Sequence, residues 1–263
     1  MVYKKYEPEG IKDIEVLLSN IYAKYKCKSI LMESKIDEYM TDLECLFIDL
    51  LEQIVIVGNE ILYLIIGGFF DGAMARMRSL HEYYSIMMFV KYSKDPEKTA
   101  RKYTFYKVIK DLKLIKNYID KESISEIKEI FSDISEGEFK SVVFSKNFGN
   151  IEYDWAKDDI EKNDKIYLSD IEKFIHDKKI YILNDNGYGL SKDESKFSRC
   201  LFKVTSSKVH AGNTEPIKYI PNIIGMNNNE KDDKYILENL KIAIISLQLY
   251  LEKIKYALDF KSS

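Results

Sequence analysis

Apolar residues recur every three or four positions over most of this chain, and that spacing is the strongest constraint on what it can fold into. Leu43, Phe47, Leu50, Ile54 and Ile61 form one stripe, and Ile236, Leu240, Ala243, Leu247, Leu251, Ile254 and Leu258 form another. Both read as long core helices, so the expected class is all-α, a helical bundle. At 263 residues the chain can bury about three quarters of its unfolded surface, which suits one α-helical domain over residues 1–263.

The most apolar stretch, Leu46 to Phe70, does not read as a membrane span. Asp49, Glu52, Asn59 and Glu60 would have to enter hydrocarbon, at about 3 kcal/mol for each ionised group near the centre. Acids at Glu7, Glu9, Asp13 and Glu15 interrupt any signal-like segment at the start. Three cysteines, Cys27, Cys45 and Cys200, fit reduced thiols better than a disulfide framework. A cytoplasmic protein without a membrane partner is expected. Net charge is −3 with lysines and acids interspersed, so nucleic-acid contact has to be local.

Start signals sharpen the helix pattern. Asp95 before Pro96 reads as a cap with proline at the first helical position, and Ser123, Ser169 and Ser191 each precede a glutamate by three residues. Helices are expected near residues 9–31, 36–66, 70–93, 96–118, 123–134, 169–178, 192–211 and 231–259. Between about Glu136 and Ser191 periodicity weakens and Asn, Asp and Gly accumulate, which predicts an irregular excursion from the bundle.

One helix carries an unexpected charge. Gly72 to Phe89 is rich in methionine, leucine and aromatics, yet holds Arg76, Arg78, His81 and Glu82. At about 100° per residue, Asp71, Ala75, Arg78, Glu82 and Ser85 line one face, with His81 about 60° from Arg78. Met74, Met77, Leu80, Tyr84, Met87 and Met88 fill the rest, so part of the seam should be buried. The chain has four arginines against thirty-six lysines, and two of the four lie here. Such a bias suggests that arginine is used for planar, bidentate contacts lysine cannot make. The plainer reading is an Arg78–Glu82 pair locking a core helix.

The seam resembles a known signature. Gly67/Gly68, Phe70, Asp71, Ala75, Arg78, Ser79, Leu80 and Glu82 look like the pattern of the bacterial family named domain of unknown function 5677. The resemblance continues through Ala100 to Tyr106, Tyr153 to Ala156, and Ser207-x-x-His210 followed by Ala211, spanning roughly residues 65–215. It implies an α-helical, cytoplasmic bacterial protein in which Arg78, Glu82, Ser207 and His210 occupy family-typical positions. His81 departs from it, since the family usually has an apolar residue before the glutamate.

Several chemistries lack support. The second histidine of a His-Glu-x-x-His zinc site would fall at Ser85, and no Glu-x-x-His pair, Walker loop or nucleophile elbow is recognisable. No metal or cofactor is expected. If His210 met Arg78 and Glu82 across a helix interface, the set would hold an acid or base, a cation and an orienting carboxylate, with Ser207 at the substrate.

Arg76-x-x-x-x-His81 is similar to the Arg-x(4–6)-His spacing of HEPN helical-bundle ribonucleases. There the histidine would move the 2′-hydroxyl proton and the arginine would stabilise the phosphorane, without a metal. This predicts a metal-independent endoribonuclease acting on RNA, with toxin or phage-defence roles following by analogy. Arg76 and His81 stand about 140° apart on an ideal helix, so they would converge only across a cleft such as a homodimer interface. The competing expectation is a non-catalytic helical module that binds a nucleotide-like ligand or a protein partner.

Overall fold

A computed structural model of the chain describes residues 10–34, 40–116, 120–162, 164–186, 247, 248 and 251. Among the described residues there are seven long or medium helices and no strand: α1 (Ile11–Ser34), α2 (Asp42–Ile66), α3 (Phe70–Tyr92), α4 (Pro96–Lys116), α5 (Lys121–Ile130), α6 (Glu136–Val143) and α7 (Leu168–Asn186). The fold is all-α. The helix expected over 192–211 and most of the C-terminal stripe lie outside the described residues, but Leu247 and Leu251 are fully buried. No helix among the described residues is long and apolar enough to cross a membrane.

The chain divides into two compact units, residues 1–34, 48–84 and 187–263 in the first and residues 35–47 and 85–186 in the second. In the first, Ile14, Leu18 and Ile21 of α1 are buried at spacings of four and three, the period that puts them on one face. Each such side chain contributes about 1.5–3 kcal/mol of burial. Gly58 lets α1 come close to α2, because a Cβ there would stand 2.5 Å from Leu18 Cδ2. Leu50, Leu51, Ile54, Val57, Ile61, Leu62 and Ile65 supply the buried side of α2.

A tight turn connects α2 to α3. Gly68 has φ +78°, the left-handed conformation that glycine adopts without Cβ strain. Phe69 N donates to Leu64 O at 2.8 Å and Gly68 N to Ile65 O at 3.0 Å, the paired bonds of a Schellman cap. Without them two carbonyls at the end of α2 would be unsatisfied.

The second unit is built on aromatic rings. Phe105 contacts Phe131 and Phe139 at centroid distances of 5.3 and 5.7 Å, and Phe89 contacts Trp155 and Phe174 at 5.3 and 4.6 Å. Residues Ile86 to Val90 are buried all round the helix, so α3 ends inside this core. Arg101 grips Asp133 with Nε at 3.1 Å and Nη2 at 3.0 Å and reaches Asp42 at 3.3 Å. It also donates to Ile130 O and lies 4.5 Å over the Phe131 ring.

The segment expected to be an irregular excursion is more helical than its composition suggested. α6 forms over Glu136–Val143, capped by Ser135, whose hydroxyl accepts from Glu138 N at 3.3 Å. Two single 3₁₀ turns follow, Phe148–Asn150 and Asp154–Ala156. α7 then runs to Asn186, beyond the expected end near residue 178.

Candidate functional site

The seam of α3 has graded burial. Asp71 is exposed, Ala75, Arg78 and Glu82 are half-buried, and Ser85 is buried. Met74, Met77, Leu80 and Tyr84 are buried, as a helix with one polar seam and an apolar remainder requires. Arg78 and Glu82 therefore stand one turn apart where solvent still reaches both.

Arg76 and His81 face different surroundings. The Arg76 guanidinium pairs with the Glu60 carboxylate of α2 and reaches the Ser79 hydroxyl at 3.4 Å, with both charged side chains partly exposed. His81 is only 8% exposed, on the side of the helix that also buries Met77, Leu80 and Tyr84. The 140° between the two positions is thus expressed in the structure: one side chain reaches a surface carboxylate and the other enters the core. Ser207 and His210 lie outside the described residues. Among the described residues no three His, Cys, Asp or Glu side chains are grouped to hold a metal ion.

A second polar array, in the second unit, was missed from sequence. Lys98, Lys102, Tyr106 and Lys110 follow one another at i,i+4 along α4 and so share a face. That face meets acids of α6 and of the Glu152–Asp159 segment. Lys98 Nζ lies 2.7 Å from Asp158, and Lys102 Nζ lies 3.1 Å from both Asp158 and Glu138. Lys110 pairs with Glu152, and Lys113 donates to Val142 O and Ser145 O at 2.9 Å, closing the end of α6.

Electrostatics follow from this pairing. The hydrogen bond from Lys98, with that from Lys102 behind it, holds the Asp158 carboxyl below the usual carboxylate range despite partial burial. Burial, then the charge of Glu138, pushes the Tyr106 phenol well above its ordinary value, so it stays a neutral donor to Glu138. Asp154 Oδ2 holds Lys157 at 2.6 Å while its Oδ1 is buried without a hydrogen-bond partner among the described residues.

Trp155 anchors the same segment. Its ring stands 5.2 Å from Tyr103 and 5.3 Å from Phe89, edge-on in both cases. Ala100 and Ala156 are fully buried as well. The stretches Ala100–Tyr106 and Tyr153–Ala156 therefore meet in space. With nearly every cation on this face matched by an acid, the array presents no surplus positive charge for phosphate and works as a clamp holding residues 152–159 onto α4.

The i,i+4 lysines of α4 and the acids of "EYDWAKDD" were each visible in the sequence, but nothing local said that they pair. No curated protein and no solved structure matches the chain. The model of DUF5677, a family of unknown function, matches residues 44–231, a stretch that runs from the first turn of α2 through α7 and takes in every described residue of the seam and the clamp, and the chain belongs to that family.

Proposed function

We propose that the chain is a non-catalytic helical module that binds a nucleotide-like ligand or a protein partner, with Arg76, Arg78 and Glu82 ordering the helices that present the binding surface. The observation that carries this reading is the separation of Arg76 from His81. A metal-free ribonuclease needs an imidazole that can reach the 2′-hydroxyl and a guanidinium that can reach the same phosphate. Here the imidazole is in the core and the guanidinium is engaged by Glu60.

The second reading is a metal-independent, HEPN-like endoribonuclease. The Arg76-x-x-x-x-His81 spacing on a single long helix favours it, and a homodimer cleft would have to bring the two groups together. A toxin or phage-defence role belongs to that reading alone.

The experiment is RNA cleavage in EDTA, with wild type, His81→Ala, Arg76→Lys and His210→Ala, followed by analysis of the new ends. The module reading predicts that single-stranded RNA survives with every variant. Cutting that leaves 2′,3′-cyclic phosphate, spares DNA and is lost in His81→Ala would establish the ribonuclease instead. Cutting lost only in His210→Ala would move the chemistry to that histidine.

A further inference from the structure

The outer face of α2 has an unusual composition. The helix holds five acids, Asp42, Glu44, Asp49, Glu52 and Glu60, and no lysine or arginine, where the chain's average would place about four cations in a segment of its length. Its solvent side is also apolar. Tyr63 is 73% exposed, Phe69 just beyond the helix 52%, Ile56 44% and Ile66 42%.

The spacing makes these a stripe and not a scatter. Ile56, Tyr63 and Ile66 are seven and then three residues apart, which places them within about 80° of one another. Glu52 and Asp49 continue the line one and two turns toward the N-terminus, and both are exposed. Single exposed apolar side chains are ordinary, but aligned large ones rimmed by charge mark an interaction surface. Glu60, on the same side, already attracts a guanidinium within the chain, that of Arg76.

We propose that this face of α2, from Glu52 to Phe69, is the docking surface for an amphipathic helix of a partner protein, one with an apolar stripe and lysine or arginine at the end that meets Glu52. The inference rests on the binding-module reading and names its partner chemistry. A second copy of the same face does not fit. Parallel pairing would set Glu52 against Glu52, and antiparallel pairing would bury Glu52 over Tyr63 and Ile66 without a matching cation from the second copy. Phosphate backbones and anionic lipid surfaces are repelled by the same acids.

The test uses the full chain and two labelled, designed 21-residue helical peptides with the same leucine stripe, one with lysines at one end and its sibling with glutamates there. Fluorescence anisotropy in about 0.15 M salt reads the binding. The lysine peptide should bind, Tyr63→Glu should weaken it at least about tenfold, and Glu52→Lys should weaken it several-fold while admitting the glutamate sibling. Circular dichroism should match wild type for both variants.

No binding, equal binding of both peptides, or affinities unchanged in both variants would overturn the proposal. So would a self-associated chain, seen by sedimentation, that Tyr63→Glu disperses, since a second copy would then be the occupant. RNA cleavage with peptide binding intact would remove only the module reading, whereas absence of both would remove only this surface.

Discussion

Replacing Lys102 with methionine removes the centre of the α4 clamp while keeping most of its volume. Lys102 Nζ is 3.1 Å from Glu138 and from Asp158, with its own side chain only 11% exposed. At an effective dielectric near 20, each such contact is worth up to roughly 5 kcal/mol before desolvation is subtracted. Solvent reduces this unevenly. Asp158 is 43% exposed and keeps Lys98, so its share falls to about 1 kcal/mol or less.

Glu138 is 20% exposed and keeps only the Tyr106 hydroxyl among the contacts described above, so its share is larger, about 1–2 kcal/mol. Together Lys102→Met should cost about 1–3 kcal/mol in urea denaturation at pH 7. The pH dependence has a fixed sign. Asp158 has a folded value depressed below its unfolded one, so its contribution is present above about pH 4 and is lost as pH falls through the folded value. The gap between wild type and Lys102→Met should therefore narrow below about pH 4. A loss under about 1 kcal/mol at pH 7, or a gap that stays constant down to pH 3, would refute the clamp.

Two further substitutions probe other parts of the fold. Gly68→Ala puts a Cβ at φ +78° and should cost about 1–2 kcal/mol by chemical denaturation, whereas no loss would mean that the turn between α2 and α3 relaxes freely. Trp155→Ala removes the ring between Phe89 and Tyr103 and should cost about 3–5 kcal/mol, a loss that near-ultraviolet circular dichroism should accompany.

The helices were legible where the signal was local. Asp95 caps α4 as its position before Pro96 implied, its carboxylate accepting from Lys98 N at 3.1 Å. α2 starts at Asp42 and not near residue 36, because Thr41 and Glu44 form a reciprocal capping box at 3.2 and 3.3 Å. α5 starts at Lys121, since Asp120 reaches Ser123 N at 2.7 Å before Ser123 can act as the cap. α6 was hidden by Gly137 and by its eight-residue length, too short for periodicity to register.

The site was less legible because its partners are distant in sequence. The scarcity of arginine drew attention to the seam of α3, but the guanidinium with two bonds to one carboxylate is that of Arg101 on Asp133, thirty-two residues away. Arg76 reaches Glu60 on the neighbouring helix, a pairing that helical-wheel geometry on α3 alone could not supply. The ladder of α4 shows the same limit: its lysines pair with acids of residues 138–158, which no local pattern links to them.

The stability of His81→Ala tests most directly whether His81 serves the core or a reaction. A side chain only 8% exposed, set among Met77, Leu80 and Tyr84, leaves a cavity and broken contacts when truncated. His81→Ala should lose about 1–3 kcal/mol in urea or guanidinium denaturation. A variant as stable as wild type, or more stable, is what removal of a strained catalytic group produces, and it would contradict the placement of His81 in the core.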